Sequence, residues 1–221
     1  MSKKKFLLLI SVVLFLTFVI FSYFVSKERF TQSDFNNTVK LQDHISRRVD
    51  YPFSLLSLIG SAEITGIFWL ILIIFTLSKK YWLTFLTLFL FWFGHIFELF
   101  GKTFLLHPAP THYFYRGMVD FNFPSHYVAT DYSYPSGHMM RTTFLISFLI
   151  IYIYFKGHHN LKIFLIPGLI IITFLMGVSR IYLGEHWTTD VIGGMFLGTS
   201  FGIISAITIP FGKKSKGEVL I

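Results

Sequence analysis

Cysteine is absent from this 221-residue chain, which rules out disulfides and a thiol nucleophile and is compatible with any compartment. Charge is scarce as well. Only 14% of the residues are Asp, Glu, Lys or Arg, whereas a soluble domain carries about a quarter. The sequence shows no internal repeat and no low-complexity tract. What is plentiful is apolar: 53% of the residues, 28 of them phenylalanine. Such an excess calls for a solvent other than water, and the phenylalanines read as lipid-facing bulk.

The apolar residues fall in blocks at roughly 6–25, 55–77, 81–100, 138–155, 161–178 and 189–209. Each is long enough to cross a hydrocarbon core of about 30 Å as a helix rising about 1.5 Å per residue. Backbone groups cannot stay unpaired in lipid, so helices are the natural form. The expectation is an all-α polytopic membrane protein with six transmembrane helices. Lys3–Lys5 precede the first block, but "FSYFVSKERF" lacks a small-x-small cleavage pattern, so that block reads as an uncleaved anchor. One membrane-embedded domain, 1–221, is expected. It comprises an anchor over 1–26, an outer segment over 27–52, a helix bundle over 53–209 and a cytoplasmic tail over 210–221. In the outer segment, Phe35, Val39, Leu41, Ile45 and Val49 recur about every four residues among polar ones. That pattern predicts an interfacial amphipathic helix before the second span.

Lysines occur at every second boundary: Lys3–Lys5, Lys79 and Lys80, Lys156 and Lys162, then Lys213, Lys214 and Lys216. The positive-inside rule makes that side cytoplasmic and places both termini there. The net charge of +8 is therefore partly a topology signal. Lysines scattered over short loops do not form the basic face that nucleic acid needs. Lys102, Arg116, Arg141 and Arg180 fit no topological role.

Six spans bring Lys102, His138, Arg141, Arg180, His186 and Asp190 to one outer face. Ionisable groups at that depth are costly and usually face a cavity or a partner. His186 and Asp190, four apart, share a face on a helix. A carboxylate accepting from one imidazole nitrogen leaves the other free to attack or to bind a metal. His138 and Arg141, three apart, also share a face. The N–H groups of residues 136–138 open a helix and suit an anion. Three cations call for a dianion or trianion, most simply a phosphate. A metal is the competing ligand, but metal sites gather carboxylates and imidazoles, and these cations would repel one.

The stretches "PSGH" (135–138) and "SRIYLGEHWTTD" (179–190) resemble the second and third motifs of the type 2 phosphatidic acid phosphatase family, within the vanadium haloperoxidase-like superfamily. The resemblance covers roughly residues 30–205. It implies metal-independent hydrolysis of a lipid phosphate or pyrophosphate, without cofactor, while the Lys- and Phe-rich composition and compact length point to the plasma (inner) membrane of a bacterium. In that scheme His186 attacks phosphorus and becomes a phosphohistidine, Asp190 orients it, and His138 serves as general acid and then base. Lys102, Ser136, Gly137 and Arg180 hold the phosphate. The family's first motif is Lys, six residues, then Arg-Pro; here Lys102 and Pro110 are in place but Ala109 occupies the arginine position. Either the protein is a catalytically impaired lipid-phosphate-binding relative, or another cation substitutes. Arg141 and Arg116 are the candidates, with His107 and His112 as weaker ones. Glu98, four before Lys102, is expected to pair with it. Undecaprenyl pyrophosphate, phosphatidylglycerol phosphate and phosphatidic acid are all open as substrates.

Overall fold

The computed structural model describes residues 2–119, 123–124, 130 and 132–211. The 210–221 tail, with Lys213, Lys214 and Lys216, lies outside the described residues apart from 210 and 211. The described residues form helices and turns, without strands. The helices are α1 (Lys3–Ser26), α2 (Thr31–His44), α3 (Asp50–Ile59), α4 (Ala62–Ser78), α5 (Trp82–Leu88), α6 (Leu90–Phe104), α7 (Gly137–Lys156), α8 (His159–Tyr182) and α9 (Thr188–Ile207).

Among the described residues, five stretches are long and apolar enough to cross a membrane: α1, 82–104, α7, α8 and α9. The expected second span is instead a pair, 47–59 and 62–78, bent by 43°. Counted as one, it brings the total to six. The bend falls at Gly60 and Ser61, where Ser61 caps the new helix by accepting from the Ile64 N–H. The 82–104 stretch comprises α5 and α6, which meet at Phe89.

The centre of the bundle is the α7–α9 pair. Gly194, Gly198 and Gly202 repeat every four residues along one stripe of α9. A Cβ on any of them would run into the α7 backbone, at the carbonyls of Ser136, Met140 and Phe144 respectively. Small residues at this spacing let two membrane helices approach backbone to backbone. The outer ends of α7 and α9 are thereby locked together, and the Ser136 N–H donates to the Asp190 carbonyl at 3.0 Å.

Helix α1 packs on the other side of α9, with Ser11 Oγ donating to the Ser200 carbonyl at 3.0 Å. Aromatic rings fill the space between them. Phe15 stacks on Phe201 at 5.7 Å, and Phe18 stacks on Tyr134 at 6.2 Å. Phe18, Phe91, Phe144, Phe148 and Phe201 are buried, so part of the phenylalanine content is core rather than lipid-facing bulk. Without a water-driven hydrophobic effect, dense ring packing is one of the few terms that can hold such a core together.

Lysines gather at one end of the bundle. Lys3 Nζ lies 3.4 Å from Tyr154 Oη, Lys162 Nζ lies 5.7 Å from the same ring, and Lys4 donates to the Ile209 carbonyl at 2.8 Å. His138, at the start of α7, and His186, in the α8–α9 turn, stand at the other end.

Helix α2 precedes the second span as expected, but the residues it buries are polar. Its buried residues are Asp34 and Thr38, whereas Phe35 is exposed and Ile45 and Val49 lie beyond its end. The reason is its neighbour: α2 lays its inner face across the start of α9, a polar surface. Asp34 accepts from the Thr189 N–H at 3.0 Å and from the Thr189 hydroxyl at 2.7 Å.

Candidate active site

His186 lies outside any helix, in the turn between α8 and α9. Gly184, at φ +69°, reverses the chain after α8 in a conformation costly for other residues. The N–H groups of Glu185 and His186 then both return to the Arg180 carbonyl at 3.2 Å. Asp190, in the first turn of α9, takes His186 Nδ1 at 3.2 Å and the Trp187 N–H at 2.9 Å on the same oxygen, Oδ2. The two residues therefore meet through helix capping, not through a shared helical face as their spacing suggested. Asp190 is fully buried. Burial, reinforced by the nearby Arg180 and Lys102 charges, pushes the His186 imidazole well below its ordinary value. Neutral His186, with Nδ1–H on Asp190, leaves Nε2 with a lone pair.

His138 opens α7 and is half-buried. It packs against the bend between α3 and α4: a Cβ on Gly60 would sit 3.1 Å from His138 Cδ2. Arg180, Arg141, His186 and Lys102 all lie within electrostatic reach of it. Ser136 is fully buried and its side chain faces the Met139 N–H at 3.5 Å, capping its own helix. Its N–H is committed to Asp190, which leaves only the first-turn N–H groups of Gly137 and His138 without an intrahelical acceptor. That corrects the expectation that all three N–H groups of 136–138 face an anion.

Two carboxylates stand among the cations. Glu98 binds Lys102 Nζ through Oε1 at 2.8 Å and Arg141 Nη1 through Oε2 at 3.2 Å. Arg141 is buried and also donates from Nε to the Gly60 carbonyl at 3.2 Å. The expected Glu98–Lys102 pair is present, and Arg141 shares it. Glu98 also lies against Gly137, where an added Cβ would collide with its carboxylate. Arg180, almost wholly buried, is clasped by Glu185 through Nη2 and by Ser57 through Nη1. Its Nε has no partner among the described residues.

Arg116 is not part of this cluster. Its guanidinium donates to the Gln42 carbonyl at 3.2 Å and to Tyr182 Oη at 3.1 Å, and lies over the Tyr182 ring. Its neighbours Tyr115 and Gly117 line both the cavity beside His138 and a second cavity, whereas Arg116 lines only the second. With its guanidinium on Gln42 and Tyr182, Arg116 is less well placed than Arg141 to replace the arginine missing at Ala109. Ala109 is exposed. His107, two residues earlier, is buried and faces Asp190 rather than an open phosphate position, with Nε2 3.3 Å from Oδ1. His112 lies in a short turn with its ring stacked on Tyr115 at 5.8 Å.

The cavity beside His138, about 40 Å³, is lined on one side by Ser54, Ser57 and Ser61 and closed by Tyr115, Gly117 and Glu185. Sequence reasoning overlooked these serines, Glu185, and the acceptor role of Asp34. The serines do leave a trace, since 54, 57 and 61 mark one helical face in an otherwise apolar run.

The PAP2 superfamily model matches residues 81–213, more than half of the chain. The chain belongs to the PAP2 superfamily. Among curated proteins it is 38% identical over 73 residues to phosphatidylglycerophosphatase B of Bacillus subtilis, covering 31% of this chain and 35% of that protein. It is 31% identical over 126 residues to an undecaprenyl-diphosphatase of Sulfolobus acidocaldarius, covering 57% of this chain and 48% of that protein. The matches thus span half or less of the curated relatives' length. The fold is similar to that of the transmembrane PAP2-type phosphatidylglycerolphosphate phosphatase of Bacillus subtilis. That comparison has a TM-score of 0.68 and 22% identity over 88% of this chain and 93% of the other. The fold is also similar to that of LpxE of Aquifex aeolicus, with a TM-score of 0.53 and 23% identity over 78% of this chain and 93% of that one.

Proposed function

We propose that this PAP2 protein hydrolyses a lipid phosphate or pyrophosphate at the outer boundary of the plasma membrane. The observation that carries the reading is His186 Nδ1 held on Asp190 at 3.2 Å, within electrostatic reach of Arg180 and Lys102. His186 Nε2 attacks phosphorus in line, and the bond from phosphorus to the leaving oxygen breaks as His138 delivers a proton to that oxygen. Asp190 stabilises the imidazolium that develops. A water then attacks the phosphohistidine, giving its proton to His138, and the P–N bond breaks to release phosphate. No step requires a metal.

Lys102, Arg180 and the N–H groups of Gly137 and His138 bind the non-bridging oxygens, and the unpartnered Arg180 Nε is one ready donor. Arg141 supplies the charge lost at Ala109 by sharing Glu98 with Lys102. The lysine-bearing end faces the cytoplasm, which puts the site outside. Support for a lipid substrate comes from an apolar groove of about 430 Å³ between α4, α7 and α8. Its outer end, at Ile59 and Thr142, adjoins Gly60 and hence His138. A headgroup at His138 would leave its tail in that groove.

The test is phosphate release in detergent with EDTA from phosphatidic acid, phosphatidylglycerol phosphate and undecaprenyl pyrophosphate. Wild type is expected to release phosphate from at least one, and His186→Ala from none. Silence of the wild type would favour the rival reading, a lipid-phosphate-binding relative impaired by Ala109.

A further inference from the structure

Asp190 has two oxygens, and the mechanism above uses only Oδ2. The other, Oδ1, faces His107 Nε2 at 3.3 Å. His107 is 5% exposed, and its Nε2 meets oxygen on every side. Thr189 Oγ1 is 3.0 Å away and Asp34 Oδ2 is 3.8 Å away. The Thr189 hydroxyl spends its proton on Asp34 Oδ2 at 2.7 Å, so toward His107 it can only accept. With Thr189 Oγ1 as its hydrogen-bond acceptor and two carboxylate oxygens at ion-pair distance, Nε2 is the ring nitrogen that carries the proton. Backbone contacts fix the ring's base: Ser133 donates to the His107 carbonyl from both N–H, at 3.1 Å, and Oγ, at 3.2 Å.

We propose that His107 is a positioning residue for phosphoryl transfer, its Nε2–H, bonded to Thr189 Oγ1, also facing Oδ1 of Asp190, otherwise unpartnered among the described residues, at ion-pair distance so that Oδ2 stays aligned on His186. The inference rests on the phosphatase reading and adds a residue to it. Asp34 and Thr189 complete the assignment. Through them the chain of contacts runs from α2 to the start of α9 and on to the nucleophile. His107 thereby has a use other than replacing the arginine missing at Ala109: a phosphate ligand would face the cations, whereas this imidazole lies behind the carboxylate. A neutral imidazole suits the task, because donation from Nε2 needs no net charge. Burial keeps His107 below its ordinary value despite the opposing pull of Asp190 and Glu28.

The experiment uses the full chain in detergent with EDTA and the lipid among the three that wild type hydrolyses fastest. Kinetics are compared for wild type, His107→Ala, His107→Gln and His107→Asn. Glutamine can place an amide N–H near the position of Nε2, while asparagine is too short. The expected result is a kcat lowered about 10- to 100-fold in His107→Ala with KM within about twofold. Glutamine should recover most of the loss and asparagine little of it. A kcat within twofold of wild type in His107→Ala overturns the proposal. So does a loss carried by KM with kcat preserved, which would mark a phosphate ligand. If His107→Ala does not fold, the Gln and Asn variants decide, and equal rates for the two overturn it. Silence of the wild type itself removes the phosphatase reading and this inference with it, whereas an active wild type and an active His107→Ala remove only the positioning role.

Discussion

Arg141 and Glu98 form a buried ion pair at 3.2 Å, 43 positions apart in sequence, and Lys102 occupies the other oxygen of the same carboxylate. A guanidinium in an apolar helix is thus neither free nor idle. Glu98 offsets the desolvation of both cations while holding them toward the open end of α7.

Removing that carboxylate should therefore cost stability. Glu98→Gln leaves the buried Arg141 without its counter-charge, a change that typically costs about 3–5 kcal/mol. A clear fall in the thermal unfolding midpoint in detergent is expected, with partial recovery when Arg141→Met is added. An unchanged midpoint in the single variant would show that the pair holds nothing together.

Arginine substitutions separate the two candidates for the missing first-motif cation. Arg141→Ala should lower kcat/KM by about 10²–10³, the usual loss for one charge-stabilising donor in a dry site. Arg116→Ala should stay within about threefold of wild type, because its partners are Gln42 and Tyr182. Phosphate-release kinetics decide, and full activity in Arg141→Ala would end the compensation idea alone.

Acidification should affect the nucleophile late. A protonated His186 has no lone pair to offer, so activity is lost as pH falls through its folded value. Burial and the Arg180 and Lys102 charges hold that value well below the ordinary imidazole one, which is about 6.5. The acid limb of kcat/KM belonging to His186 should lie below about pH 6.5. A pH–rate profile of wild type and Asp190→Asn tests this, and a His186 limb at or above 6.5 is the contrary result.

Asp34 gives a stability signature of opposite sense. Burial, helped by Asp190, raises its carboxyl from 3.8 to about 6. Between those values the folded protein keeps a proton that the unfolded chain has released. Asp34 therefore makes stability fall as pH rises from about 4 to about 6, with no further change above. His107, held low by burial, acts the other way across the same range. The informative quantity is thus the difference in unfolding midpoint between wild type and Asp34→Asn from pH 4 to 7. Wild type should lose ground relative to the variant as pH rises, and a difference that grows in its favour would be incompatible with a raised carboxyl.

Much of the architecture was legible in composition and order. Blocks of apolar residues specify helices because lipid leaves the backbone no other partner, and the two motifs at 135–138 and 179–190 mark the adjoining ends of α7 and α9. His186 with Asp190, and Glu98 with Lys102, follow from spacing within one local segment. The geometry of the first pair does not, since a turn, not a helix, carries His186.

What spacing could not reveal were partners distant in the chain. Nothing in the order of residues says that Arg116 stacks on Tyr182, that Glu185 clasps Arg180, or that Asp34 reaches Thr189. The α2 helix shows the limit most clearly: its apolar repeat suggested a face for lipid, but only the fold reveals that Asp34 and Thr38 are what it buries. The sequence by itself determined the helices and which residue types gather at one end. The tertiary structure alone decided which carboxylate neutralises which cation and which histidine stands behind Asp190. Those choices depend on helices packed closely enough, through Gly194, Gly198 and Gly202, for charges far apart in the chain to share one buried site.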